Sequence, residues 1–578
     1  MIVSPDGAAP LAISWLHVQL TFQSLPRYLV RLYCTLRHIS LKQGMHLFRA
    51  RLVRRAVPRE PSILRQRAWR RPWSSPRWRP AAWGTDGTVT FLGHTRQLPA
   101  AGIWNGQGEC RLWYYNLHYL DDLDALPASA RFDALCALLD DWVSNNPPGR
   151  GTGWEPYPLS LRIVNIVKFL AASGRSPRWD RSLALQTQSL CQQVETHIRA
   201  NHLFENGKAL VFAGTYFEGP SAETWLRTGL EILDTECEEQ FLSDGGHFEL
   251  SPMYHGTMLW SLCDLLNLAE TSGLPELLRR ASTWQQLLRR GLGWYATMTH
   301  PDGGIAFFND AAMGIAPDLS SVMTYALNVG VPTEDWHPST PPPSLVRLSS
   351  SGYLKIDLGH RCAAIIDVAK VGPAYQPGHA HADTLSFELC LHGRRVLVNS
   401  GTSTYERGPQ RDTERGTAAH NTVIVDRRNS SDTWAGFRVG RRASPELLDL
   451  DANSDRIVIR AQHDGYRHLL GGAVHRRSWT WTVSDVQIRD DVIGRFQHAA
   501  AHYHIHPDVI VRPDGNDAQR LQLDLPDGKR ASVRVQRGSL SFCASTWHPE
   551  FGRSVDNQCI VVDFAGGSAE VVISWTDQ

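Results

Sequence analysis

Two imidazoles and a carboxylate stand at alternate positions in Pro377-Gly378-His379-Ala380-His381-Ala382-Asp383, just ahead of the apolar alternation Leu385, Phe387, Leu389. Side chains repeat every two residues along an extended chain. A strand that begins this early therefore puts His379, His381 and Asp383 on one face. Gly378 lets the backbone approach a ligand closely. Packing alone does not call for such a row, which reads as half of an active site. The other half is expected between residues 154 and 255.

That interval holds three polar clusters. Gly153-Trp154-Glu155-Pro156-Tyr157-Pro158 opens a helix in which Arg162 lies among apolar residues, either paired internally or binding an anionic group of a substrate. In Asn201-His202-Leu203-Phe204-Glu205, residues three and four apart meet on a helix, so Glu205 can touch both Asn201 and His202. Taken alone, the pair is a helix cap or a catalytic pair. In Asp244-Gly245-Gly246-His247-Phe248-Glu249-Leu250-Ser251-Pro252-Met253-Tyr254-His255, Ser251 and Pro252 suit a helix start. Tyr254 then falls in the first turn, where backbone amides favour a phenolate; core packing is the other reading.

Downstream, Asn399-Ser400-Gly401-Thr402-Ser403-Thr404-Tyr405 and Thr417-Ala418-Ala419-His420-Asn421-Thr422 add further polar residues. Neighbouring antiparallel strands can bring His381, Asn399 and His420 to one point. Imidazoles are good zinc ligands and a neutral amide a poor one, and a metal-free hydrogen-bond network around the same histidines is the alternative. Pro301–Asp310 forms one more polar loop, to which no role is assigned.

The elements that must position these residues fall into two kinds. From about 100 to 330 the apolar spacing is helical, as in Phe132, Leu135, Cys136, Leu139 and Trp142, with Gly- and Pro-bearing breaks between segments. Helices joined by short connections imply antiparallel neighbours, hence an α/α toroid or helical bundle. After the breaker around Pro341-Pro342-Pro343 the chain turns to short β-branched and aromatic runs, among them Tyr353–Leu358, Ala363–Val368, Leu385–Leu391, Ile457–Ala461 and Val571–Trp575. These predict an antiparallel β-sandwich. The expected organisation is thus α+β and multidomain: a basic helical arm over 1–95, the toroid over 96–340 and the sandwich over 345–578, the last contributing His379.

With 59 basic and 58 acidic residues in 578, no global field for a polyanion is indicated, and nucleic acid is not an expected partner. The charge is uneven, however: residues 1–80 hold 14 Arg and one Lys against Asp6 and Glu60. Leu25, Tyr28, Leu29, Leu32, Tyr33 and Leu36 recur there at helical spacing, which suits either a helix packed on the main body or contact with an anionic membrane or polysaccharide. The 10 Cys are scattered without a C-x-x-C pair, as buried thiols are. No apolar run is long enough to span a bilayer and no standard secretory signal is visible. The expected location is cytoplasmic or membrane-peripheral, with the periplasm as the alternative.

Asn-His-x-x-Glu, Ser-Pro-Met-Tyr-His, Gly-His-x-His-x-Asp-x-x-Ser-Phe and His-Asn-Thr, in that succession over residues 100–430, resemble the heparinase II/III family of polysaccharide lyases, which includes related alginate lyases. The resemblance implies cleavage of uronic-acid-containing chains by β-elimination, with an acidic polysaccharide as partner. By the same resemblance, Asn201 and His202 neutralise the uronate carboxylate, with Glu205 orienting the pair. Tyr254 is the general base and/or acid, His379 the other proton-transfer group, and Tyr157 and Arg162 help to hold the polymer. His381, Asn399 and His420 fall where some members hold a structural zinc, but an aspartate is usual where Asn399 stands. No organic cofactor is implied. Similar bacterial proteins belong to exopolysaccharide or lipopolysaccharide assembly systems. Two other readings are a noncatalytic polysaccharide-binding or assembly protein, and a metal-dependent hydrolase built on His379-x-His381-x-Asp383.

Overall fold

The computed structural model describes residues 25–38, 44–45, 58–61, 65–84, 86–97, 103–106, 108–126, 131–173, 177–333, 341–469 and 471–576. Helices fill the first half and antiparallel sheets the second. In Phe132–Asn145 the buried residues are Leu135, Leu139 and Trp142, the face that the spacing predicts.

Two helices carry most of the polar residues of interest, Ala200–Tyr216 and Pro252–Ser272, and both are buried along nearly their whole length. Ala200–Tyr216 lies close against Pro220–Gln240 because glycines face each other: a Cβ on Gly229 would stand 2.6 Å from the Gly207 carbonyl oxygen. Pro252–Ser272 starts as its sequence predicts. Ser251 accepts a hydrogen bond from the Tyr254 amide at 3.3 Å, which satisfies one of the amides left open at a helix N-terminus.

Among the described residues the second half forms a nine-stranded and an eight-stranded sheet. Their inward side chains share one core: Phe387 of the first sheet meets Trp479 and Trp481 of the second at 6.4 and 6.1 Å between ring centres. Alternating burial along Val474–Trp481 is the period-two pattern of a half-buried strand. The runs expected to be strands are strands, with one difference. The strand after the histidine row begins at Phe387, and Leu385 has a φ of +64°. Residues 377–386 are therefore an irregular loop, not the extended row expected from their alternation.

Of the basic arm, Leu25–Leu36 is a helix seated on the second half. Tyr28 packs edge-on against Trp434 at 5.7 Å, and Thr35 accepts a hydrogen bond from the Trp434 indole at 3.3 Å. The remainder of the arm's amphipathic pattern before residue 25 and over 39–57 falls largely outside the described residues. Trp73 and Val89 share the core of the helical half. No helix among the described residues is long and apolar enough to cross a membrane.

Candidate active site

Asp310, from the loop to which the sequence assigned no role, is the hub. Its buried carboxylate accepts from His379 Nδ1 and from His381 Nε2, each at 2.8 Å. Both terminal nitrogens of the Arg411 guanidinium also donate to it, Nη2 at 2.7 Å, while Nε donates to the Gly436 carbonyl at 3.2 Å. Burial by itself would raise this acid. Arg411 and the two imidazole hydrogen bonds outweigh burial and hold it well below the usual carboxylate range. The backbone repeats the link, since the Asp310 amide donates to the His379 carbonyl at 2.9 Å. Asp383, expected beside the histidines, instead accepts from the Asn309 amide at 3.0 Å.

An ionised Asp310 fixes the tautomers. His379 must carry its proton on Nδ1, which leaves Nε2 with a free lone pair. Burial, only partly opposed by Asp310, lowers the His379 pKa, so the ring is neutral at neutral pH. Its side chain keeps 13% of its surface accessible. The Tyr254 ring lies against it, with centres 4.1 Å apart.

Tyr254 Oη shares a 2.8 Å hydrogen bond with Tyr405 Oη, and the Arg411 guanidinium sits over the Tyr405 ring at 4.9 Å. Burial, with Tyr405 and Asp310 nearby, pushes the Tyr254 phenol well above its ordinary range. The phenolate expected from the helix start is thus overturned. The favourable field of a first turn is worth at most about 2 kcal/mol, and desolvation beside acidic groups exceeds it. Tyr254 is a neutral phenol, a proton donor.

On the helical side, Tyr157 stacks on His202 at 4.2 Å between ring centres. The acid partner of His202 is Glu195, 3.2 Å from Nδ1, and Asn206 braces Glu195 with a 3.2 Å hydrogen bond. Glu205, expected to orient this pair, instead accepts from Ser261 at 2.6 Å and lies 3.7 Å from Lys208. It lines a cavity. Asn201 is buried at 4% exposure, with no side-chain hydrogen bond among the described residues.

Arg162 is not a substrate contact. It is fully buried and its nitrogens go to Gln186 Oε1 and to the carbonyls of His118 and Gly153 at 2.6–2.8 Å. The guanidinium stacks on Trp142 at 3.8 Å. Its valences are spent inside the fold. A cavity of about 690 Å³ instead brings together Tyr157, Glu205, Tyr254 and Tyr405.

The residues expected to hold zinc, His381, Asn399 and His420, offer two imidazoles and one neutral amide. His381 Nε2 donates to Asp310, which leaves the lone pair on Nδ1, and that nitrogen faces His420 Nε2 at 3.3 Å. Asn399 offers a neutral amide whose Oδ1 already accepts from the Asn421 amide at 3.2 Å. Among the described residues no three His, Cys, Asp or Glu side chains are grouped to hold a metal ion. The donor set lacks the anionic ligand that a closed zinc site wants. No step below depends on one.

Asp310, Arg411 and Glu195 are the site residues that sequence reasoning missed. Their signal was weak: Asp310 ends a polar loop, and Arg411 and Glu195 sit in ordinary surface-like context.

Comparison with known proteins matches both halves of the chain to one family. Residues 131–330 match the model of the heparinase II/III N-terminus, and residues 340–576 match that of the heparinase II/III-like C-terminal domain. Two curated relatives, both named heparin-sulfate lyase, are each 26% identical. That of Bacteroides stercoris aligns over 48% of this chain and 44% of its own length, and that of Bacteroides thetaiotaomicron over 58% and 52%. The chain thus spans about half the length of the curated relatives it matches. Among solved structures, heparinase III is 18% identical with a TM-score of 0.65, over 86% of this chain and 80% of that one. A chondroitinase AC lyase is 10% identical with a TM-score of 0.51, over 85% and 78%. These likenesses establish a shared fold, and together with the two family models covering both halves they identify the chain as a member of the heparinase II/III-like family.

Proposed function

We propose that the protein is a polysaccharide lyase that cleaves a uronic-acid-containing chain by β-elimination. On this reading the helical half is an α/α toroid that also takes in residues 65–97, in place of the boundary at 96, and the two sheets form a β-sandwich over 345–578, with Leu25–Leu36 as an arm seated on it. The contact of the Tyr254 and His379 rings at 4.1 Å, with His379 held by Asp310, carries the proposal. The curated relatives are heparin-sulfate lyases by name, which supports it.

The reaction needs an acid and a base at one sugar. His379 Nε2 takes the C5 proton of the uronate, and the C–H electrons become the C4–C5 double bond. The C4–O4 bond breaks, and Tyr254 gives its proton to O4 as that oxygen leaves. The step leaves Tyr254 as phenolate and His379 as imidazolium, with their rings in contact at 4.1 Å. Asn201 and His202 hold the uronate carboxylate, because C5–H is a poor acid until that charge is masked. Fixed donors aimed at the developing enolate are the largest catalytic term in many enzymes. Each positioned proton transfer adds roughly 10²–10⁴-fold. The pair at His381 and His420 is read as a hydrogen-bonded support.

The test is a panel of acidic polysaccharides followed at the ultraviolet absorbance of unsaturated sugars. Unsaturated products from wild type, lost in Tyr254→Phe, support the reading. Cleavage to saturated products, or none across the panel by folded protein, overturns it.

A further inference from the structure

The cavity that opens beside Tyr254 and Tyr405 carries an unusual charge pattern for a protein handling an acidic polymer. Among the described residues its wall has three cations, Arg79, Lys168 and Lys208, against six acids. Each cation is already paired. Arg79 contacts Asp121. Lys168 Nζ lies 3.1 Å from Asp124 and 2.9 Å from Asp264. Lys208 Nζ lies 2.8 Å from Asp264 and 3.7 Å from Glu205. Both lysine side chains are only 5% exposed. At the two lysines a sulfate would have to separate a buried ion pair and leave an acid unpaired, which is strongly unfavourable; at Arg79, whose side chain is 35% exposed, it would compete with Asp121.

The rest of the wall suits a sugar of low charge. Trp78 and Trp260 pack edge to face at 6.3 Å and give apolar surface for a sugar ring. Thr257 and Asn116 add polar groups.

We infer that the sugars occupying this cavity beside the cleaved bond are unsulfated, so that the substrate class is an unsulfated uronate polymer. The inference rests on the lyase reading for the position of the cleaved bond. It goes further by naming which acidic chains are excluded and why. The uronate carboxylate is met by Asn201 and His202, whereas a sulfate on the neighbouring sugar finds no uncompensated cation in the cavity.

The experiment compares an unsulfated uronate–hexosamine chain with the same chain after chemical O-sulfation, at equal length and low salt. Turnover is read on wild type, and hexasaccharide binding on Tyr254→Phe. Sulfation is expected to lower kcat/KM at least tenfold and to weaken binding about tenfold. Asp264→Asn and Glu205→Gln each remove one compensating carboxylate. In whichever of them folds, checked by circular dichroism, the penalty for sulfation should shrink at least threefold. Equal or better turnover or binding of the sulfated chain overturns the inference and leaves the lyase reading intact. Absence of turnover on both chains counts against the lyase reading, and the binding comparison then decides the charge preference by itself.

Discussion

Arg162 and Arg411 are both fully buried, yet they do different things. Around Arg162 the acceptors are neutral: two peptide carbonyls and a glutamine amide, with an indole face alongside. That region ends in itself. Around Arg411 one acceptor is the Gly436 carbonyl, at 3.2 Å, and the other is a carboxylate with valences to spare, which Asp310 uses to hold two histidines, one against a tyrosine. A buried guanidinium therefore says little about role. What its partner does with the remaining lone pairs decides whether the arginine is confined to the fold or reaches the chemistry.

The sharpest way to break this contrast is Asp310→Asn. It should reduce lyase activity by about 10³-fold or more, since His379 loses its fixed tautomer and orientation. Stability in urea unfolding should fall by roughly 3–5 kcal/mol, as expected when one partner of a buried ion pair is removed. Near-normal activity in this variant would end the role given to the hub. Arg162→Met should show the opposite profile. Unfolding stability drops by about 3 kcal/mol, because buried acceptors lose their donors, while kcat of the folded enzyme stays within about threefold. A collapse of kcat at unchanged stability would move Arg162 into the site after all.

Tyr254 and His379 were legible because their signals are local. Ser251-Pro252 fixes a helix start, and the histidine row precedes an apolar strand. The layout of helices followed by strands was legible from periodicity for the same reason. Partner choice was not. Whether Arg162 or Arg411 meets a carboxylate is set by which loops the fold brings together, and Asp310 lies 69 residues from His379 along the chain. Spacing also misled where two acids compete: Glu205 is three residues from His202, but Glu195 across the preceding turn is the one that bonds it.

That competition gives a smaller prediction. Glu195→Gln should lower kcat/KM by roughly tenfold, the value of one charge-assisted hydrogen bond, whereas Glu205→Gln should leave kcat/KM within about threefold of wild type. A reversed result would restore Glu205 as the orienting acid.

The last concerns Glu249, 3.9 Å from His379 Nε2. Burial, with Asp310 nearby, raises its pKa to about 8. The folded state therefore holds this proton where the unfolded chain has released it. Its contribution is fully present below the ordinary carboxylate range and is lost as pH rises towards about 8, by roughly 1.4 kcal/mol per pH unit at most. Glu249→Gln should flatten urea-unfolding stability between pH 5 and 8. An unchanged slope would mean that Glu249 is ionised in the fold.

Residue 310 grips residue 379 twice, once through the carboxylate and once through the peptide amide. The imidazole thus arrives at each encounter with a sugar already aimed, and the rotational freedom that a loosely tethered base would surrender at every turnover is removed once, when the chain folds.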